Sequence, residues 1–194
     1  GNIMNILIGF LNERSAWVVP TLMGAFTPLL VIAGAHYSII PITAQNLAQL
    51  GYDTVMLPGN LASNLALAGA CFAVAIKTKK TKAKGVASSA GITALFGISQ
   101  SALYGIVVPL KKPLIYTIIG GGVAGFLAGI TQIKAYSMIT PGLLSLISYV
   151  SADEKITNLI FAVATAVIAF VVTFALTWIL GFEDFKDEVQ DETN

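Results

Sequence analysis

Six stretches of this chain contain no Asp, Glu, Lys or Arg, and they limit the folds open to it. They cover residues 15–52, 54–76, 85–110, 113–133, 135–152 and 156–182, with lengths of 38, 23, 26, 21, 18 and 27. A helix needs about 20 mostly apolar residues to cross a bilayer. Only 11% of the residues are charged, against roughly 25% in soluble domains. A soluble fold would need a core of helices apolar all round, with almost no polar surface left to cover it. The expected class is an all-α polytopic membrane protein with about four spanning helices.

The runs are not all simple spans. Residues 15–52 are too long for one helix, and Gly34 and Pro41 break the run near its middle. Residues 16–33 read as a span, and the part around His36 as irregular. Residues 54–76 carry Pro58, Gly59, Asn60 and Asn64 at their start, then turn Ala-rich and helical. Residues 113–133 and 156–182 are the cleanest helices. Pro141-Gly142 makes 135–152 a re-entrant or interfacial hairpin. Broken or re-entrant segments are therefore expected around 34–60, 85–110 and 135–152. Gly120, Gly121, Gly122, Gly125 and Gly129 supply small-residue faces at four-residue spacing, the pattern of close helix contact.

Lysines set the orientation. Lys77, Lys79, Lys80, Lys82 and Lys84 crowd one short loop, and cytoplasmic loops carry the excess of Lys and Arg. Arg14 and Lys111-Lys112 share that side if residues 85–110 dip in and return. Four crossings would then leave both ends in the cytoplasm. A nucleic-acid patch is disfavoured, because net charge is only +1 and no aromatics interleave the lysines. The carboxylates after Gly181 are expected to be solvated and partly disordered. Gly1 to Phe10 lack the basic leading region of a signal peptide. Cys71 is the only cysteine, so it has no disulfide partner in the chain and reads as a small packing residue. No metal-ligand spacing, nucleotide-binding loop or cofactor motif is expected.

The segment with the most chemistry is 91–105, Gly-Ile-Thr-Ala-Leu-Phe-Gly-Ile-Ser-Gln-Ser-Ala-Leu-Tyr-Gly. Unpaired polar groups at membrane depth cost several kcal/mol each, so such backbone survives only inside protein or along a wet cavity. Broken segments of this kind are a common way to build a carrier's substrate site. Its candidates are Thr93, Ser99 and Gln100. His36 is the only histidine, and an ionisable side chain at this depth is a functional candidate. A neutral imidazole offers one donor and one acceptor, which suits a polar ligand or, equally, a backbone carbonyl in a core. Asn60 and Asn64 share a face if their helix starts near Pro58. They either line a cavity or tie helices together. Tyr37 and Tyr104 read mainly as packing aromatics.

Residues 97–105 resemble the G-I-T-E-P-A-(I/L)-Y-G signature of the enzyme IIC sugar permeases of the bacterial phosphotransferase system, in the glucose superfamily. The β-glucoside, sucrose and trehalose branch is the most similar. Residues 34–41, Gly-Ala-His-Tyr-Ser-Ile-Ile-Pro, resemble that branch's G-x-H-x-x-(I/L)-x-P element. Residues 57–62 and 110–113 follow in family order, and 182–184 match the end of the permease domain. Nearly the whole chain is covered, as the later half of such a permease.

The resemblance implies a substrate-binding transport half over 1–182, with 183–194 an acidic cytoplasmic tail. It implies binding of a β-glucoside or related disaccharide and its translocation across the bacterial inner membrane. Phosphorylation by a separate enzyme IIB phosphocysteine domain would be coupled to transport. The chain would be a sugar phosphotransferase component only together with that partner. An earlier permease half would supply dimer contacts, so the full-length form is expected to be a homodimer in lipid. The signature Glu binds sugar hydroxyls and assists phosphoryl transfer, and Gln100 stands in its place. Gln100 and His36 are then the candidates for catalysis, with His36, Ser99, Gln100, Asn60, Asn64 and Thr93 reading the sugar. An amide cannot take a proton, and Ser101 replaces the signature Pro. These changes open an alternative, a non-catalytic membrane sugar receptor derived from such a permease. A gradient-driven carrier is weakened by the lack of Asp or Glu within any apolar run.

Overall fold

The Ala-rich half of run 54–76 determines the centre of the fold. The computed structural model describes residues 17–151 and 156–185. Its elements are α1 (Val18–Ile32), a 3-10 turn (Ala35–Ile39), α2 (Ile40–Leu50), α3 (Met56–Lys77), α4 (Thr81–Leu95), α5 (Gln100–Leu110), α6 (Lys112–Thr131), a second 3-10 segment (Leu143–Tyr149) and α7 (Thr157–Leu180). Of the 22 residues of α3, 18 are buried, so it is a central post rather than a lipid-facing span. Small side chains let its neighbours approach. Gly59 lies on Met23 of α1, Gly69 on the Phe170 backbone of α7, and Ser63 near Gly121 of α6. Cys71 and Phe72 meet Gly91 of α4.

The chain is an all-α polytopic membrane protein. Among the described residues α3, α6 and α7 are long and apolar enough to cross a membrane. The expected fourth span, α1, has 15 described residues, or about 22 Å at helical rise, short of the ~30 Å hydrocarbon core.

α1 packs antiparallel along the glycine stripe of α6, as its spacing predicts. A Cβ at Gly121 would strike Gly24 O, one at Gly125 would strike Pro20 O, and one at Gly129 would lie 2.7 Å from Trp17 O. Pro28, within α1, has no N–H to offer the carbonyl four residues back. That carbonyl is Gly24 O, the oxygen turned toward Gly121, where only a Cα–H can meet it.

α1 runs parallel to α3: Met23 lies by Gly59, Thr27 bonds Asn60, and Val31 joins the Leu67–Val74 cluster. The intervening chain must return the whole way, and the 3-10 turn and α2 do so. Gly34 (φ 69°) and Gly51 (φ 80°) end α1 and α2 in the left-handed conformation that favours glycine. The irregular region is thus shorter than expected. Helix α3 begins at Met56 and takes in Pro58, Gly59 and Asn60, with Pro58 in the first turn where a missing N–H costs nothing.

The parallel pairing also sets the two described ends of the chain apart. Trp17 lies at the C-terminal end of α6, whereas Gly181 O accepts a bond from Tyr116 Oη (3.0 Å) near its N-terminal end. The two described ends of the chain therefore sit at opposite ends of the bundle, not on one face. Arg14 and residues 186–194 lie outside the described residues. The acidic stretch is docked at its start: Phe182 and Phe185 pack on the α3–α5 cluster, and Lys77 Nζ donates to Trp178 O.

Replacing Gly125 by Val would place a branched side chain on Pro20 O. Overpacking of this kind costs about 1–3 kcal/mol. The expected result is a lower unfolding temperature in detergent, while Gly85→Val, with nothing near its Cβ position, leaves it unchanged.

Candidate functional site where two hairpin tips meet

Helices α4 and α5 form the re-entrant hairpin expected at 85–110. It starts at the lysine-rich end of α3, runs antiparallel to α3, and reverses at residues 96–99 beside the middle of that helix. Thr93 N-terminal to the turn and Ser101 beyond it share a hydroxyl bond of 2.6 Å. The reversal turns on Gly97 (φ 91°), and Ile98 N closes it onto Thr93 O at 3.0 Å. The returning leg widens to a π-helix at Leu103–Val107. Pro109 explains this, since its ring and missing N–H do not fit a regular α-turn, and π segments absorb such misfits.

Residues 132–151 dip in from the opposite end, as Pro141-Gly142 predicts. Tyr136 N bonds Ser148 O (2.8 Å) across the two legs, and Ser145 Oγ bonds both Gly142 O and Gly142 N at the tip. The tips touch. A Cβ at Gly97 would lie 2.7 Å from Thr140 Cγ2 and 2.8 Å from Pro141 O. One at Gly142 would lie 2.6 Å from both Gly97 N and Leu95 O. Asn64 Nδ2 of α3 donates to Pro141 O at 2.6 Å.

The second hairpin is fastened at its base by two residues the site reading did not single out. Asn158 at the start of α7 bonds Lys134 N, Lys134 O and Tyr149 O at 2.8, 2.9 and 2.8 Å. Asp53 exchanges backbone bonds with Ala135 (2.8 and 2.9 Å). Its carboxylate accepts from Asn46 Nδ2 (2.7 Å), Met56 N (2.8 Å) and Leu57 N (2.7 Å). Fully buried, Asp53 meets only donors. It serves the first free N–H groups of α3, and Pro58 has none to serve. The available signal was a lone acid separating two charge-free runs.

The first hairpin is fastened at the lysine end. Asp184 accepts from Thr78 Oγ1 (2.7 Å) and Lys79 N (3.0 Å), just ahead of α4. Partial burial pushes its carboxyl up. The bonds from Thr78, Lys79 and Phe185, with the Lys80 charge, outweigh that and hold it below the usual carboxylate range.

The predicted residues are placed as follows. Thr93, Ser99 and Gln100 share the first tip. Ser99 is buried, and Gln100 is exposed, its carbonyl accepting from Leu103 N and its side-chain amide without a hydrogen-bond partner among the described residues. Asn64 reaches the second tip, while Asn60, one turn earlier, accepts from Thr27 Oγ1 on α1 (2.9 Å). The two asparagines share a face and serve different neighbours. His36 lies on the 3-10 turn, its ring 4.1 Å from that of Tyr37, its Nδ1 shielded and unpartnered. No hydrogen bond joins it to the tips. The link is indirect: Tyr104, one turn past Gln100, donates to Val31 O (3.2 Å) near the end of α1. No group of three His, Cys, Asp or Glu among the described residues could hold a metal.

Fold and site define a helical membrane protein with two opposed re-entrant hairpins, presenting uncharged hydrogen-bonding groups where their tips meet. The chain belongs to the phosphotransferase system EIIC family, whose model matches residues 1–121. It is 34% identical over 189 residues to the arbutin-, cellobiose-, and salicin-specific EIIBC component of Escherichia coli (strain K12), covering 97% of this chain and 39% of that protein. It is 34% identical over 189 residues to the beta-glucoside-specific EIIBCA component of Bacillus subtilis (strain 168), covering 97% and 30%. A sucrose-specific EIIBCA component of Pediococcus pentosaceus is 29% identical, covering 95% and 28%. The chain thus spans two-fifths or less of the length of these relatives. No solved structure matches it.

Two outcomes test the fastenings. Asp53→Ala leaves two N–H groups and an amide without acceptors, a loss of about 2–4 kcal/mol visible as a lower unfolding temperature. Asp184 is held low in the folded state, so its contribution is complete above the unfolded value of about 3.9. That contribution disappears as pH falls through the lowered folded value. Acidification through that window should lower the protection of Lys79 N, its exchange rate taken relative to the intrinsic rate at each pH, and Asp184→Asn should remove this pH dependence of the protection.

Proposed function

We propose that the chain is the substrate-binding half of a sugar permease that works with an enzyme IIB partner, and that its sugar is a β-glucoside or related disaccharide. The observation that carries this reading is the first hairpin tip, where the Gln100 side chain is exposed and unpartnered beside the Thr93–Ser101 hydroxyl pair, in a chain of the EIIC family. The relatives' names, β-glucoside and sucrose among them, support the substrate class.

Sugar hydroxyls both donate and accept, and so do Gln100, the Thr93 and Ser101 hydroxyls, and the neutral His36 imidazole. Ser99 adjoins Gln100 in the chain, and Asn60, bonded to Thr27 of α1, lies one turn before Asn64. The sugar binds from outside against the Gln100 tip. Movement of the hairpins opens it to the cytoplasm, where the enzyme IIB phosphocysteine donates its phosphoryl group. A charged sugar phosphate cannot recross the apolar path, so phosphorylation traps it. The lysine-rich end of the bundle, with Lys77 to Lys84 and Lys111-Lys112, is the cytoplasmic face on the positive-inside rule, and the membrane is the bacterial inner one. An earlier permease half completes a homodimer in lipid.

Gln100 bears on the transfer step. Its amide keeps the shape of a carboxylate side chain and cannot accept a proton, so it binds and orients the sugar without acting as a base. Titration of the protein with cellobiose, salicin and sucrose is expected to show saturable binding. His36→Ala and Gln100→Ala should each weaken it about tenfold, near 1.4 kcal/mol. Unchanged affinity in both variants would place the site elsewhere. Gln100→Glu should speed sugar phosphorylation by enzyme IIB, and an unchanged rate would remove position 100 from the transfer step.

A further inference from the structure

Asn64 is six per cent exposed at the middle of the central post, and its amide nitrogen donates one of its two N–H groups to a main-chain oxygen, Pro141 O at 2.6 Å. That carbonyl is also one of the atoms nearest Gly97, where no Cβ would fit. Gly97 is the left-handed residue of the first tip, three positions before Gln100. The path is short and rigid: α3 fixes Asn64, Asn64 fixes the Pro141 tip, and the Pro141 tip bears on the turn that presents Gln100. The base of the second hairpin is already held by Asp53 and Asn158, so its tip is the part left for Asn64 to hold.

We infer that Asn64 is a positioning residue for the sugar site: it does not read the sugar through that N–H but holds the Pro141 tip against Gly97 and so sets where Gln100 is presented. This rests on the sugar-site reading above. It differs from a direct contact in a way that can be measured. A residue touching one hydroxyl loses affinity for sugars that carry that hydroxyl and nothing for the analogue lacking it. A residue that sets the position of the tip loses affinity for all of them alike.

The test uses Asn64→Asp, which keeps the shape and replaces the donor by an acceptor facing Pro141 O, and Asn64→Ala as a second variant. Cellobiose and a set of its deoxy analogues are titrated against each. In a separate background Ile98→Cys, an exposed tip position outside the proposed sugar contacts, reports tip placement through its reaction rate with a water-soluble thiol reagent. Native Cys71 is buried, and its continued silence shows that the variant is folded. The expected result is a loss of about tenfold or more in affinity, uniform across the analogues, with a severalfold change in the labelling rate at position 98. Loss confined to one analogue, or an unchanged labelling rate in folded variants, overturns the inference. If the parent protein binds none of these sugars, the substrate reading fails, while the labelling arm still reports on Asn64.

Discussion

Membrane depth offers no water to an unpaired peptide group, and this one constraint orders the structure. Helices satisfy it internally, so the informative parts are the stretches that are not helical. Among the described residues they include the two hairpin tips and the second hairpin's 3-10 leg, whose buried parts, Ser99, Ser145, Ser148 and Tyr149 among them, lie inside the protein. Asn64 and Asn158 supply side-chain bonds to that irregular backbone, Asp53 pairs with it through its main chain at Ala135, and each tip covers part of the other. The central helix makes this possible because its small residues let four helices close around it, placing Asn64 where both hairpins end.

The hairpins were legible in the sequence because they break the rules for a span: Gly97 and Pro141-Gly142 interrupt apolar runs, and hydroxyls and an amide stand where no charge does. The glycine stripe of α6 was equally plain, since its spacing is its function. Other features could not be read. The parallel course of α1 and α3 depends on a return through α2, and counting apolar runs treats each run as one crossing. Asp53 went unremarked between two runs, because sequence does not show that three donors converge on it. Asn60 and Asn64 were rightly placed on one face, but which neighbour each would meet, Thr27 or the Pro141 carbonyl, is a matter of tertiary packing.

The same arrangement gives the site its chemical character. The Gln100 side chain is exposed at the start of α5, while Thr93 and Ser101 share a hydroxyl bond beside it. Among the described residues no carboxylate stands at the tip, in keeping with the neutral sugar proposed for it. The fastenings are at opposite ends, Asp184 at the lysine end for the first hairpin and Asp53 with Asn158 at the far end for the second. The tips thus meet as a seam between two separately anchored hairpins.

The most direct test of this account is a density map of the protein saturated with cellobiose in a lipid environment. The account predicts two hairpins entering from opposite faces with sugar density within hydrogen-bond reach of Gln100 at their meeting point. Residues 85–110 crossing the bilayer outright, or sugar density away from the tips, would contradict it.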